Sequence, residues 1–314
     1  MQYVNSLMPL NHILSIDQFL DREVIGNIFQ LTEKLEQDHK KKKLKQSMKR
    51  KILATLFYEP STRTRISFES AMQKLGGSVI TTELALLSSS ASKGESLEDT
   101  IKVISQYVDA IVLRHSKKGS ATHASLISKV PIINAGDGAG EHPTQALLDL
   151  YTIKKELGKL DDIKIALVGD LLYGRTTHSL IKAISIYDNI KIFLISPTEL
   201  KLPEEYKNFL KTQNMNLEEM ANIEPILNEI DILYITRIQK ERFASLESYG
   251  QLKDSYMINK KTLSKLKEHM IIMHPLPRVG EIHPEIDSDK RAAYFRQAEN
   301  GLYIRMALLQ MVLK

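Results

Sequence analysis

Cysteine and tryptophan are both absent from the 314 residues. Without cysteine the chain has no disulfide, thiol nucleophile, thiolate metal ligand or iron–sulfur cluster. No apolar run approaches the ~18 residues that a membrane helix needs, and the N-terminus lacks the basic region and long apolar core of a signal peptide. We therefore expect a cytoplasmic protein. The nine histidines show no HExxH or related spacing, so neither a metal nor a cofactor is predicted.

Basic residues outnumber acidic ones and give a formal net charge of +5. Such a balance fits a nucleic acid, an anionic membrane surface or a small anionic substrate. The densest basic run, residues 40–51, has no interleaved aromatic residues and precedes a strand-like segment. We therefore interpret it as a solvated linker and predict neither nucleic acid nor membrane as a partner.

Strand-like apolar runs alternate with helical patterns from Lys51 onward, in two sets separated by a long predicted helix over 142–160. This alternation predicts parallel sheets covered by helices on both faces. The fold class is therefore α/β, with two doubly wound parallel-sheet domains linked by interdomain helices. We place the first domain at 1–141 plus a C-terminal helix at about 297–314, and the second at 142–296.

Polar clusters follow six of the predicted strands. They are STRTR after the first strand, Arg114-His115, GDGAGEHPTQ, GDLLYGRT, TRIQKER and HPLPR. Ligands of such sheets bind beyond the carboxyl ends of the strands. The repeated placement therefore predicts a shared cleft.

The STRTR segment, residues 61–65, stands where a helix N-cap is expected, after Pro60. A helix N-terminus offers unpaired N–H groups and the positive end of its dipole to an anion. Hydroxyls and arginine side chains add donors suited to phosphate. Taken alone, the segment fits an ordinary cap with surface arginines equally well.

Three other clusters have both a chemical and a purely structural interpretation. GDLLYGRT departs at one position from the G-x4-G-K-[ST] phosphate loop, where Arg175 replaces lysine, and we consider an ATPase the weaker interpretation. In HPTQ, His142 and Gln145 share one helix face, and His142 is either a hydrogen-bond donor, a general acid/base or a cap. Arg237 and Gln239 lie on one side of the chain if the strand before them continues.

HPLPR, residues 274–278, has two prolines that remove backbone donors, which leaves carbonyl oxygens able to accept from an amine. The alternative is a rigid strand exit. The whole predicted cleft is rich in cations: Arg63, Arg65, Arg114, Arg175, Arg237, Arg278 and Lys93. This set predicts binding of more than one anion, a phosphate and carboxylates, and a transfer that depends on positioning and electrostatics.

The ordered set of motifs resembles the aspartate carbamoyltransferase catalytic chains, within the aspartate/ornithine carbamoyltransferase superfamily. The matching stretches are FYEPSTRTRISFE, KGESLEDT, DAIVLRH, NAGDGAGEHPTQALLDL, VGDLLYGRTTHSL, TRIQKER, HPLPR and NGLYIRMALL. They occur in the family's order from Lys51 to the end. The resemblance implies transfer of the carbamoyl group of carbamoyl phosphate to L-aspartate, in pyrimidine biosynthesis. The first domain would bind carbamoyl phosphate and the second aspartate.

The resemblance also implies a role for each site residue. Ser61, Thr62, Arg63 and Thr64 would hold the phosphate, with Arg114 reaching the phosphate and the carbonyl oxygen. His142 and Thr64 would polarise that carbonyl, while Gln145 and the carbonyls of Pro275 and Leu276 would hold the carbamoyl amino group. Arg175, Arg237 and Gln239 would bind the aspartate carboxylates. The implied catalytic set is Arg63, Thr64, Lys93, Arg114 and His142.

Lys93, which is also assigned to aspartate, and a serine of the 88–92 loop would reach into a neighbouring subunit's site. This implies a homotrimer with shared active sites. The loop aligns in more than one register, and Ser90 is our choice. Gly280 stands where the family frequently has an acidic residue. Whether a regulatory chain or a dihydroorotase associates is left open.

Three alternatives are set against this interpretation. Ornithine carbamoyltransferases usually have His-Cys-Leu-Pro where this chain has His274 followed by Pro-Leu-Pro, and Arg175 and Arg237 suit a dicarboxylate better than a cation. A non-catalytic relative is expected to have lost STRTR, Lys93 or HPTQ. A basic nucleic-acid-binding protein would show steeply salt-dependent DNA binding.

Overall fold

The computed structural model describes residues 11–83, 94–238 and 256–313. The chain divides into two compact units, one formed by Met1–Leu148 with Glu299–Lys314 and the other by Asp149–Ala298. Two helices contain the boundaries, α5 (Pro143–Leu157) and α9 (Tyr294–Val312). The boundary predicted from the sequence, between 141 and 142, precedes by seven residues the point in α5 at which the two units divide.

The first unit contains a four-stranded parallel sheet in the order β2-β1-β3-β4. Its strands are β1 (Ile52–Phe57), β2 (Ser78–Glu83), β3 (Ala110–His115) and β4 (Ile132–Asp137). The described part of this unit also contains the helices α1 (Arg22–Lys40), α2 (Thr62–Lys74), α3 (Leu97–Ile104) and α4 (Ser120–Ser125). The basic run predicted as a linker lies between α1 and β1 and is largely exposed.

Helix boundaries in this unit follow local chemistry. Asp21 caps α1, because its carboxylate accepts from the backbone N–H of Glu23 and Val24 at 2.7 and 3.0 Å. After α2 the chain turns at Gly76, whose φ of +86° suits glycine. A Cβ at Gly76 would lie 2.6 Å from the Cβ of Gln46. The Gly-Gly stop predicted for this helix is therefore confirmed.

The second unit contains a five-stranded parallel sheet in the order β7-β6-β5-β8-β9. Its strands are β5 (Lys164–Val168), β6 (Lys191–Ile195), β7 (Asn216–Met220), β8 (Ile232–Ile235) and β9 (Ile271–Met273). The helices described wholly within this unit are α6 (Arg175–Ile184), α7 (Glu204–Thr212) and α8 (Lys260–Leu263). The prediction of two parallel-sheet α/β units is confirmed.

One strand was not predicted. β7 reads NLEEM and lies at the edge of its sheet, where none of its residues is buried. An edge strand needs no apolar side chains on both faces, so its sequence lacks the continuous apolar run of β5 or β6. Within the described residues no helix is both long and apolar enough to cross a membrane.

Candidate active site

The polar clusters of the first unit meet at one edge of its sheet. β1, β3 and β4 are neighbouring parallel strands, so their carboxyl ends lie side by side. The backbone N–H of Tyr58 donates to the carbonyl of Arg114 at 2.9 Å, and that of Gly138 donates to the carbonyl of His115, also at 2.9 Å. The segments that follow the three strands are thus joined by backbone hydrogen bonds.

The STRTR segment forms the start of α2. Ser61 is the N-cap, with φ −159° and ψ 97°, and its hydroxyl makes no capping hydrogen bond. The first-turn N–H groups of α2 therefore do not use the cap side chain as their acceptor, which suits an anion. Thr62 and Arg63 are exposed at this end, whereas Thr64 is buried.

The two arginines of STRTR differ in their surroundings. Arg65 lies between two carboxylates, with its guanidinium 3.2 Å from Glu69 and 2.9 Å from Glu83. It therefore has a structural role and stabilises the packing of α2 on β2. The side chain of Arg63, two residues nearer the helix N-terminus, is exposed to solvent.

Arg114 is the cation at the end of β3. Its Nε lies 3.3 Å from a carboxylate oxygen of Glu59, and its side chain is only 17% exposed. The next residue, His115, has a pKa lowered by burial, and its Nδ1 accepts from the backbone N–H of Lys117 at 3.0 Å. His115 is therefore a neutral acceptor at physiological pH, and Arg114 carries the charge.

His142 directly precedes α5, and Gln145 lies in the first turn of that helix. Both are buried, with 3% and 8% of their surface exposed. The backbone N–H of Gln145 donates to the His142 carbonyl at 2.9 Å. The preceding loop is held by Asp137, whose carboxylate accepts from the N–H of Gly119 at 2.7 Å and of Glu141 at 2.8 Å. The imidazole and the amide thus project from a fixed helix start.

In the second unit, the turn after β5 carries Arg175. This arginine is the first residue of α6 and is half-buried. Within the turn, Asp170 accepts from the N–H of Tyr173 at 2.9 Å, and the Nε2 of His178 donates to the Leu171 carbonyl at 2.8 Å. The turn is therefore held by side chains at both of its ends, which fixes the helix start from which Arg175 projects.

Arg237 does not lie in a strand, which was the condition for placing it on one side of the chain with Gln239. β8 ends at Ile235, so the chain is no longer a strand at Arg237. Arg237 still lies just beyond the carboxyl end of β8, the neighbour of β5 and β9. Gln239, Lys93 and Ser90 lie outside the described residues.

HPLPR follows β9, at the same edge of the second sheet. Pro275 and Leu276 are half-buried, and Leu276 has a left-handed φ of +54°. Arg278, which the sequence included among the anion-binding cations, forms a bidentate pair with Asp287; its Nη2 donates at 2.6 Å. That partner occupies both terminal nitrogens, so a structural role for Arg278 replaces the prediction. Gly280 has no atom within 4 Å of a Cβ position.

Sequence reasoning missed the partners of these residues. Glu59 beside Arg114, and Glu281 beside His274, received no role, although Glu59 lies within FYEPSTRTRISFE and Glu281 follows HPLPR by three residues. Across the described ranges, no three His, Asp or Glu side chains are grouped as a metal ion would need.

Comparison with known proteins matches each half of the chain to a domain model of one family. Residues 11–155 match the family model "Aspartate/ornithine carbamoyltransferase, carbamoyl-P binding domain". Residues 161–312 match the model of the "Asp/Orn binding domain" of the same family. The two matches together cover both sets of strand-end clusters.

Individual relatives are similar over nearly the whole chain. The aspartate carbamoyltransferase catalytic subunit of Archaeoglobus fulgidus is 52% identical, covering 97% of this chain and 99% of that protein. The catalytic subunit of M. jannaschii aspartate transcarbamoylase has a TM-score of 0.90 at 49% identity, covering 97% and 98% of the two chains. The Trypanosoma cruzi enzyme in complex with N-(phosphonacetyl)-L-aspartic acid gives 0.92 at 40% identity, covering 99% and 98%. The chain therefore belongs to the aspartate/ornithine carbamoyltransferase family.

Proposed function

We infer that the chain transfers the carbamoyl group of carbamoyl phosphate to the amine of L-aspartate, giving N-carbamoyl-L-aspartate and phosphate. The observation that carries this inference is the close similarity of the whole chain to proteins named aspartate carbamoyltransferase, such as those of Archaeoglobus fulgidus and Clostridium novyi, each 52% identical. The T. cruzi enzyme, 39% identical, has been solved with carbamoyl phosphate and aspartate. The product places the reaction in pyrimidine biosynthesis.

The phosphate of the substrate would bind at the start of α2. The hydroxyls of Ser61 and Thr62 and the guanidinium of Arg63 would donate to its oxygens, in addition to the first-turn N–H groups, which include that of Thr64. Arg114 would reach the phosphate and the carbonyl oxygen. The absence of a capping bond from Ser61 and the exposure of Arg63 support this assignment.

The carbamoyl group would be held by residues that begin α5 and follow β9. His142 and Thr64 would donate to the carbonyl oxygen as it becomes an oxyanion in the tetrahedral intermediate, with each such donor worth about 3 kcal/mol. Gln145 and the carbonyls of Pro275 and Leu276 would bind the amino group. Positioning of the two reactants at attack distance would supply about 7–11 kcal/mol more.

The carboxylates of aspartate would bind to Arg175, Arg237 and Gln239, with Lys93 and Ser90 contributed by a neighbouring subunit. The two arginines each follow a strand of the second unit, on the edge where HPLPR also begins. The aspartate amine must lose a proton before it attacks the carbonyl carbon. As the C–O bond breaks, the phosphate leaves with the second proton that the attacking nitrogen must lose, and no covalent enzyme intermediate is required.

Ornithine is the rival second substrate, because the family model covers both activities. The lack of cysteine after His274 and the two arginines favour aspartate. The deciding experiment incubates the purified chain with carbamoyl phosphate and either amine, and follows carbamoyl-amino acid formation. We expect turnover with aspartate alone. Turnover with ornithine but not aspartate would overturn the proposal.

The proposal also includes the oligomeric state of the chain and its cellular compartment. We propose a homotrimer with shared sites in the cytoplasm, although the plant relatives are named chloroplastic. The Dictyostelium "Multifunctional protein pyr1-3" is 50% identical, and this chain covers 13% of it. That relative raises the question of whether the chain acts with other enzymes of the same pathway. Sedimentation of the purified chain, with and without a candidate regulatory chain or dihydroorotase, tests such partners.

A further inference from the structure

The turn after β9 contains a buried histidine that the proposed mechanism does not use. His274 is 2% exposed, and its Nδ1 accepts from the backbone N–H of Leu276 at 2.7 Å. That N–H belongs to the same planar peptide group as the carbonyl of Pro275. In a trans peptide, the N–H and the C=O point in opposite directions. A fixed N–H therefore aims the Pro275 carbonyl away from the imidazole.

A carboxylate fixes the tautomer of this imidazole. The Nδ1 of His274 is an acceptor, so the ring proton is on Nε2, which donates to Glu281 at 2.7 Å. The other oxygen of Glu281 accepts from the N–H groups of Val279 and Gly280, both at 3.0 Å. Burial opposes the ionisation of Glu281, but the hydrogen bonds from His274 and Val279 lower its pKa below the ordinary value.

The main chain of His274 is held by a hydrogen-bonded series of three buried side chains. Its backbone N–H donates to the Oε1 of Gln297 at 2.9 Å. The Nε2 of Gln297 donates to Asp149 at 2.6 Å, and the hydroxyl of Tyr234 donates to the second oxygen of Asp149 at 2.8 Å. Burial and the adjacent carboxylate raise the pKa of Tyr234, so it stays a donor. The histidine that aims the carbonyl is thus itself immobilised.

We propose that His274 is a positioning residue that aims the Pro275 carbonyl at the carbamoyl amino group, with Glu281 selecting the tautomer that can do so. This inference rests on the proposed function. Its consequence is a preference for carbamoyl phosphate over acetyl phosphate, which has a methyl group in place of the amine. A methyl group leaves the aimed carbonyl without a donor, which is expected to weaken binding about tenfold to a hundredfold.

A matched pair of substitutions tests the two hydrogen bonds of the His274 imidazole one at a time. In His274→Asn, the amide oxygen takes the place of Nδ1 and can still accept from the N–H of Leu276. In His274→Gln, the longer side chain can reach Glu281 but offers no acceptor at the Nδ1 position. The measurement is the ratio of acetyl phosphate and carbamoyl phosphate dissociation constants, together with kcat and the affinity for inorganic phosphate.

We expect His274→Asn to keep the ratio within about threefold of wild type and His274→Gln to lower it about tenfold. Inorganic phosphate, which has no carbamoyl group, should bind both variants as it binds wild type. An unchanged ratio in His274→Gln, an equal loss in both variants, or a wild type without preference would overturn the inference. If both variants fail to fold, Glu281→Gln is measured in their place. A glutamine amide cannot accept hydrogen bonds from all three groups that donate to Glu281, namely His274 and the N–H groups of Val279 and Gly280. An unchanged ratio in Glu281→Gln would also overturn the inference.

These outcomes are distinct from failure of the proposed function. If the wild-type chain forms no N-carbamoyl-L-aspartate, the proposed function is wrong. If the wild-type chain forms this product and His274→Gln leaves the ratio of acetyl phosphate to carbamoyl phosphate dissociation constants unchanged, only the positioning role is wrong.

Discussion

At the scale of residues, the STRTR segment shows how two identical side chains acquire different roles. Arg63 lies in the first turn of α2 with its side chain exposed, whereas Arg65 is enclosed by Glu69 and Glu83. A guanidinium between two carboxylates is already neutralised and stabilises packing. One at a helix N-terminus adds positive charge to the positive end of the dipole, which favours a bound phosphate.

We therefore expect Arg63→Ala to lower kcat/KM for carbamoyl phosphate at least about 100-fold without unfolding the chain. The exposed side chain contributes little packing, so the melting temperature should change little. The same loss of activity in a folded chain is expected for His142→Ala. Steady-state kinetics and circular dichroism melting measure both effects.

Arg65→Ala is the matched control, two residues along the same helix. Loss of its ion pairs should lower the free energy of unfolding by about 1 kcal/mol, with activity changed only a few-fold. If Arg63→Ala and His142→Ala retained near-native turnover, or if Arg65→Ala were the inactive variant, the assignment of the phosphate site would be wrong.

At the scale of elements, the turn between β5 and α6 depends on one glycine. Gly169 has a φ of +114°, and a Cβ at this position would lie 2.2 Å from the carbonyl oxygen of Thr236. The turn therefore runs against the end of β8 more closely than any side chain allows. The close approach keeps Arg175 and Arg237 on neighbouring strand ends of the second unit.

We expect Gly169→Ala to lower the free energy of unfolding by about 3 kcal/mol, through backbone strain and steric overlap. Gly26→Ala is the matched control. Gly26 lies inside α1, has no atom within 4 Å of its Cβ position and has no positive φ. That substitution should raise stability by about 1 kcal/mol. Urea unfolding measures both, and effects of the same sign would contradict the argument.

At the scale of the whole molecule, acid stability should depend on carboxylates of the second unit. The hydrogen bond from Arg278 lowers the pKa of Asp287, and Glu281 also has a lowered pKa. Because both groups bind protons more readily in the unfolded chain, their contribution is complete above the ordinary pKa of about 4. It is lost as the pH falls from there through the lower folded values.

The contribution of these two carboxylates to the free energy of unfolding should therefore be nearly constant above about pH 5 and fall below it. Asp287→Asn should reduce stability at pH 7 and make the acid decline shallower. Urea unfolding between about pH 3 and pH 7 tests the slope. An unchanged slope in the variant would show that Asp287 does not contribute.

The proposed trimer makes a separate prediction about subunit mixing. If Lys93 acts in the site of a neighbour, then Lys93→Ala and His142→Ala chains should each be inactive alone. After dissociation and reassociation of an equal mixture, each hybrid trimer regains one intact site, so about a quarter of wild-type activity should return. An inactive mixture that contains hybrid trimers, checked by native mass spectrometry, would place both residues in one subunit's site.

Much of the fold could be read from local patterns. Strands buried on both faces require continuous apolar runs, so β5, β6 and β8 were visible in the sequence. Helix starts and stops, as at Ser61 and Gly76, depend on residues within one turn. Edge strand β7 was not predicted, because its side chains are not buried and therefore need not be apolar.

The sequence established the α/β class and the position of each polar cluster at a strand end, because both follow from burial period and local turn chemistry. Strand order required the folded chain, since adjacency of β1 to β3 and of β5 to β8 depends on long crossovers. The same holds for the partners of charged groups. Arg278 pairs with Asp287 and is therefore assigned to structure and not to anion binding. Gln297 accepts from the backbone N–H of His274, 23 residues away in the chain. Such contacts are set by packing and not by spacing along the chain.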